Sequence, residues 1–192
     1  MDVVQTNLSN ANGFFGFFEN GEIFTAEKSG EISELSATAF VIACDSQEQS
    51  WAKPARADFY TAKRLVSDLL SILGVDASRL NFAEVAGEPI WEAGFSAGCG
   101  SEKREGFRIR FGAISVAHLR ERGIDKNVWA GEISFRADVA ARKKAAEKFK
   151  AFSAFPPSSR DLAVVVEESE SAQNVTNDIL KIAKQALKGA AF

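Results

Sequence analysis

Residues 107–114 read Phe-Arg-Ile-Arg-Phe-Gly-Ala-Ile. In an extended chain successive side chains point to opposite faces. Phe107, Ile109, Phe111 and Ala113 therefore fall on one side and Arg108 and Arg110 on the other. Such a strand has one face in a core and a charged face outside. Working outward, Ser115 caps a short predicted helix, Val116 to Arg122, which Gly123 stops. A second alternating strand follows, with Trp129, Gly131, Ile133 and Phe135 on one face. Upstream, Phe59, Ala62, Leu65, Val66, Leu69, Leu70 and Leu73 recur at three and four residues. That spacing makes one apolar stripe on a helix over 58–73, with Asp58 as its cap and Gly74 at its end. Lys63, Arg64 and Asp68 lie off the stripe. Half-polar strands together with an amphipathic helix indicate a mixed α+β fold.

Farther out the signals are shorter. Residues 37–44 form a continuous apolar run that reads as a buried strand, with Cys44 as a small core side chain. Phe14-Phe15-Gly16-Phe17-Phe18 and Glu22-Ile23-Phe24 flank Asn20-Gly21, a pair that tolerates positive φ, and predict a β-hairpin turning there. Residues 1–12 are polar and unpatterned, and 79–98 read as hairpin material interrupted by Pro89 and glycines. Residues 138–150 read as a basic helix carrying Arg142, Lys143, Lys144, Lys148 and Lys150 around Ala141, Ala145 and Phe149. Pro156-Pro157-Ser158-Ser159 breaks the chain. Beyond it come a predicted strand, Leu162 to Val166, and a helix capped by Ser171 with Val175, Ile179, Ile182, Ala183 and Ala186 along one side.

Composition sets the outer limits. With 46% hydrophobic and 26% charged residues and 16 Phe, the 192-residue chain has the means to build a globular core. Four Pro and 14 Gly exclude collagen-like and proline-rich classes. No run approaches the roughly 18 apolar residues of a membrane span, and the chain does not open like a signal peptide. Two cysteines make no disulfide framework, which favours a reducing compartment. The single histidine, His118, excludes multi-histidine metal sites in one chain. The net charge of −3 hides an asymmetry. Residues 1–100 carry 6 Lys+Arg against 14 Asp+Glu, whereas 101–160 carry 14 against 7. The basic block pairs with the acidic half or offers a footprint to a polyanion.

Motifs for enzymatic chemistry are sparse. No P-loop is present. Gly94-Phe95-Ser96-Ala97-Gly98 spells Gly-x-Ser-x-Gly, but a nucleophile elbow needs a histidine base placed late in a particular sheet order. A turn or strand edge of small residues explains it better. Cys99 lies between two glycines and would need a group that lowers its pKa to act as a nucleophile.

Four segments in order resemble the beta subunits of bacterial phenylalanyl-tRNA synthetases. They are Phe18-Glu19-Asn20-Gly21-Glu22-Ile23-Phe24; Trp51 with Asp58-Phe59-Tyr60 and Lys63; Gly112-Ala113-Ile114 with Leu119 and Gly123; and Phe155-Pro156 with Arg160-Asp161-Leu162-Ala163. The similarity runs over about residues 14–190. Departures fall at Ser115-Val116, where the family has His-Pro, and at Trp91 to Ala97, where it has Leu-His-Pro-Gly-Arg-Ser-Ala.

The resemblance implies an antiparallel sheet with flanking helices over 1–151, a non-catalytic module of class II synthetase type. Over 152–192 it implies the first strand and helix of an incomplete ferredoxin-like anticodon-binding domain. It further implies a piece of a cytoplasmic beta subunit that serves assembly with an alpha subunit and binds tRNA, with no membrane or DNA partner. ATP and Mg2+ would be handled by the alpha subunit, with no cofactor on this piece. Candidate tRNA contacts are Arg108, Arg110, Arg142, Lys143, Lys144, Lys148 and Arg160, and no residue is assigned to catalysis or metal binding. Arg160-Asp161 reads in preference as a strand-entry pair, with Asp161 accepting backbone N–H bonds and Arg160 reaching a nearby carboxylate. A stand-alone RNA-binding adaptor that reuses the fold is the alternative of a different class, and a hydrolase built on Ser96 or Cys99 is a third.

Overall fold

The computed structural model describes residues 1–10, 14–26, 30, 32–44, 57–101, 104–140, 156, 158 and 160–183, excepting the side chains of Phe14, Cys44, Arg79, Ala140 and Ala183. The chain divides into two compact units, Met1–Lys144 and Ala145–Phe192.

In the first unit five antiparallel strands form one sheet in the order β1-β2-β5-β4-β3. The strands are β1 (Phe14–Ala26), β2 (Ile32–Cys44), β3 (Trp91–Ser101), β4 (Phe107–Ile114) and β5 (Val128–Phe135). The alternation read in 107–114 and 128–135 places two unlike clusters on the two faces. On one face Phe40, Ile42, Phe107, Ile109, Phe111, Trp129 and Ile133 pack beneath α2 (Phe59–Ile72), which inserts Ala62, Val66 and Leu70. Burying each such Val or Leu contributes about 1.5–3 kcal/mol. On the other face Phe15, Ala43, Ile114 and Val128 meet Val4 of α1 (Asp2–Ser9) and Leu119 of α3 (Val116–Arg120).

Helix α2 starts as its sequence predicts. Asp58 accepts from the Thr61 amide at 2.7 Å, and the Asp58 amide donates to the Thr61 hydroxyl at 3.3 Å, a reciprocal capping box. Gly74, at φ +74°, follows its last turn. Because α2 lies over β4 and β5, its Leu65, Leu69 and Ile72 look across a groove of about 920 Å³ to Phe18 and Phe40 on β1 and β2.

Several local expectations are corrected. Asn20-Gly21 does not turn the chain, since β1 runs straight through it. Asn20 pairs with Thr38 and Gly21 with Ala37, and Asn20 Oδ1 accepts from the Thr38 hydroxyl at 2.8 Å. A thirteen-residue ladder outweighs the turn preference of two residues, and it runs on to the pair Ala26–Ile32. Residues 1–12 contain α1, whose burial of Val4 explains a helix with weak periodicity. Residues 79–98 hold no hairpin. A 3-10 turn (Ala77–Arg79) leads into a strap whose Ala83 exchanges two backbone hydrogen bonds with Gly98 at the sheet edge. Ser115 does not cap α3 with its side chain. The Val116 amide donates instead to Glu92 Oε2 at 2.9 Å, a cap supplied by the neighbouring strand.

The basic helix expected over 138–150 is described only as its first turn, α4 (Ala137–Ala140). The remainder, with Arg142, Lys143, Lys144, Lys148 and Lys150, lies outside the described residues, as do Trp51, Phe155 and the side chain of Cys44.

In the second unit, α5 (Ala172–Ala183) forms as expected, with the Ser171 hydroxyl accepting from the Asn174 amide at 3.1 Å. Val175 and Ile179 are half-buried, whereas Ile182 is exposed. The expected strand Leu162 to Val166 makes no ladder among the described residues, and Leu162, Val164, Val165 and Val166 are exposed. A strand is stable only when a neighbour takes up its backbone groups.

Candidate nucleic-acid interface

Two of the predicted cationic residues, Arg108 and Arg110, sit side by side on the sheet face opposite α2. They are two positions apart on one strand, and therefore about 7 Å apart along it. Their cross-strand neighbours are Gly100 and Gly98 on β3 and Ser134 and Glu132 on β5. The glycines leave the surface beside the guanidiniums low. Gly98 is required there for a second reason. A Cβ at this position would fall 2.6 Å from the Ile109 carbonyl oxygen and 3.0 Å from Val85 Cγ2 on the strap.

The strap delivers Glu88 to this face. Arg108 Nη2 donates to Glu88 Oε1 at 3.1 Å, and Arg110 Nη1 to Glu88 Oε2 at 2.9 Å. The Trp91 indole N–H adds a bond to Oε2 at 3.3 Å. The other arm of Arg110 donates to Glu132 Oε1 at 2.7 Å. Two cations and two anions thus form one network, with side-chain exposures of 42% for Arg108, 25% for Arg110 and 27% for Glu88. Burial alone would push the Glu88 carboxyl up. The hydrogen bond and charge of Arg110, the Trp91 indole and the charge of Arg108 together hold it below the usual glutamate range. Burial likewise opposes the Arg110 charge, and Glu132 and Glu88 overcome it.

This depression carries a pH signature. A carboxylate whose folded pKa lies below its unfolded value contributes stability that is complete above the unfolded pKa and is lost as pH falls through the folded one. Acidification from pH 7 through the ordinary glutamate value and on below the depressed one is therefore expected to remove the wild-type advantage over Glu88→Gln. Urea unfolding of both chains at several pH values checks this, and a stability difference that stays constant through the acid range would contradict it.

Arg160 is exposed in the second unit, and the four between 142 and 148 are outside the described residues. Sequence reasoning missed Glu88, Glu132 and Glu92. Glu132 was legible in principle, because the alternation that puts Ile133 inside puts Glu132 outside, on the arginine side. Glu88 was not, since no periodicity governs the strap.

The hydrolase readings find no support in the geometry. Ser96 is buried within β3, with no hydrogen-bond partner for its hydroxyl among the described residues. His118 instead contacts Arg122, at 3.0 Å from Nε2. Burial, and then the charge of Glu105, push the Cys99 thiol up to about 11, so little thiolate exists at neutral pH. Among the described residues no three His, Cys, Asp or Glu side chains converge.

The family comparison covers this whole sheet. Residues 1–135 match the model of the phenylalanyl tRNA synthetase beta chain CLM domain. The chain belongs to this family. Relatives named phenylalanine–tRNA ligase beta subunit include that of Chlamydia caviae, 24% identical over 190 residues, covering 97% of this chain and 23% of the relative. That of Dehalococcoides mccartyi is 30% identical over 164 residues, covering 84% and 19%. That of Trichormus variabilis is 25% identical over 206 residues, covering 98% and 23%. The chain thus spans about a fifth of the length of the curated relatives it matches. The antiparallel sheet with flanking helices implied by the resemblance is the fold observed for this CLM domain. Among the described residues no helix is long and apolar enough to cross a membrane.

Proposed function

We propose that this CLM domain works as a non-catalytic part of a cytoplasmic phenylalanine–tRNA ligase. It supports assembly of a beta subunit with its alpha subunit and contributes cationic residues to tRNA binding. The observation that carries the reading is the family match over the entire five-stranded sheet. ATP, Mg2+ and phenylalanine are then handled by the alpha subunit, and this chain supplies no step of the chemistry. Arg108, Arg110 and Arg160, with Arg142, Lys143, Lys144 and Lys148 of the basic stretch, are the residues proposed to meet tRNA phosphates. Phosphate contacts of this kind position an RNA without reading its sequence.

Two measurements test the reading. The purified chain is expected to show no phenylalanine-dependent pyrophosphate exchange, and measurable exchange would overturn its non-catalytic role. Its tRNA affinity is expected to be no tighter than roughly 10⁻⁶ to 10⁻⁴ M at physiological salt and to fall steeply as salt rises, as counterion release requires. Tight, salt-insensitive and cognate-selective binding would mean that a reading surface, and not a cationic one, lies within these residues.

A further inference from the structure

We propose that Arg108 and Arg110 form a phosphate-binding site that the chain itself occupies, with the Glu88 carboxylate as an internal competitor for the incoming anion. The idea rests on the reading that this face meets a phosphate backbone, and it adds what controls access to it.

Three observations carry it. First, Glu88 bridges the two guanidiniums, one oxygen to each, at 3.1 and 2.9 Å. Two non-bridging oxygens of a phosphate would span the same pair in the same way, because guanidinium forks donate to carboxylate and phosphate oxygens alike. Second, the charge of the network is balanced by Glu88. With it, two arginines face two glutamates, Glu88 and Glu132. With it displaced, the face gains one net positive charge, and Arg108 is left with no carboxylate in the network.

Third, Glu88 can leave without dismantling the sheet. It stands on the strap, outside every strand and helix, after Gly87 at φ +79° and before exposed Pro89 and Ile90. Ala83, Glu84, Ala86 and Gly87 of the strap are also exposed. The strap stays tied at both ends without Glu88. Ala83 pairs with Gly98, the Gly94 amide donates to Glu84 at 2.7 Å, and the Ile90 carbonyl accepts from the Ser115 amide at 2.8 Å. Glu132 is fixed differently, on a central strand directly opposite Arg110. It stays in place, holding Arg110 for the ligand that replaces Glu88.

The test uses the full chain and inorganic tripolyphosphate as the probe. Glu88→Gln keeps the side-chain size and removes the charge, and by calorimetry it is expected to bind tripolyphosphate at least about five-fold tighter than wild type. The gain should vanish in Glu88→Gln with Arg108→Gln, which separates this site from other cationic residues. Glu88→Ala serves as a second variant, with melting temperatures recorded for each. Equal tripolyphosphate affinity in wild type and in both folded Glu88 variants would overturn the proposal, as would a gain that survives Arg108→Gln.

A parallel salt titration with tRNA separates this failure from that of the functional reading. If the site is used by tRNA, Glu88→Gln steepens the salt dependence by about one phosphate contact. A tripolyphosphate gain without tRNA binding by any variant would uphold the self-occupied site and overturn the tRNA role. Wild-type tRNA binding with no change in either Glu88 variant would do the reverse.

Discussion

Replacing Phe111 with alanine is expected to destabilise the first unit by about 3–5 kcal/mol. Phe111 is fully buried at the centre of β4. Its ring lies 5.3 Å from that of Phe59 on α2 and 5.5 Å, edge-on, from that of Phe82 on the segment after α2. It is therefore the point where the sheet, the helix and the approach to the strap meet. Truncation loses the transfer free energy of the ring and leaves a cavity between elements that cannot all close on it. A domain has only about 5–15 kcal/mol in total, so the variant sits near the edge of folding. Equilibrium urea unfolding measures the loss. Tyr60→Ala is the control, since Tyr60 is exposed beside Phe59 and should change stability by less than about 1 kcal/mol. Equal losses in the two variants would show that the core is not organised around Phe111.

Gly112→Ala is expected to cost at least about 3 kcal/mol, far more than one methyl group suggests. Gly112 sits at φ +155° in β4, opposite Ser96. A Cβ there would lie 2.6 Å from Ser96 Cα and inside contact distance of the Phe95 carbonyl oxygen. These are backbone atoms of β3, so no side chain can rotate away and the strand itself must move. The register between β3 and β4 shifts just before this point, between Trp91 and Ser96. The substitution should therefore loosen β3 and with it the strap that carries Glu88. Hydrogen exchange should show faster exchange in β3 than in β2, in addition to the lowered unfolding free energy. Uniform loss across the sheet, or a change below about 1 kcal/mol, would mean that β3 absorbs the methyl group.

The limits of reading the sequence follow from the same residues. Where one face of an element is buried and the other is wet, the pattern shows it. The alternation of 107–114 gave the inner face of β4, and the three-four spacing of 59–73 gave the buried Ala62, Val66 and Leu70 of α2, although Leu65 of the same stripe is exposed. The cap at Asp58 was legible because its partner, Thr61, is three residues away. Arg108 and Arg110 were legible as an outward pair for the same reason as the core.

What failed was non-local. Asn20-Gly21 is a turn signal only while no strand lies beside it, and β2 overrules it with a full ladder. The α3 cap comes from Glu92, 24 positions back in the chain. Glu88 reaches Arg108 and Arg110 across 20 and 22 residues through a strap without periodicity. Short-range preferences fix which side of each segment is apolar, because that depends on neighbours three or four residues away. The partners of polar and charged groups depend on which segments the fold lays side by side, and at those separations only the tertiary structure decides.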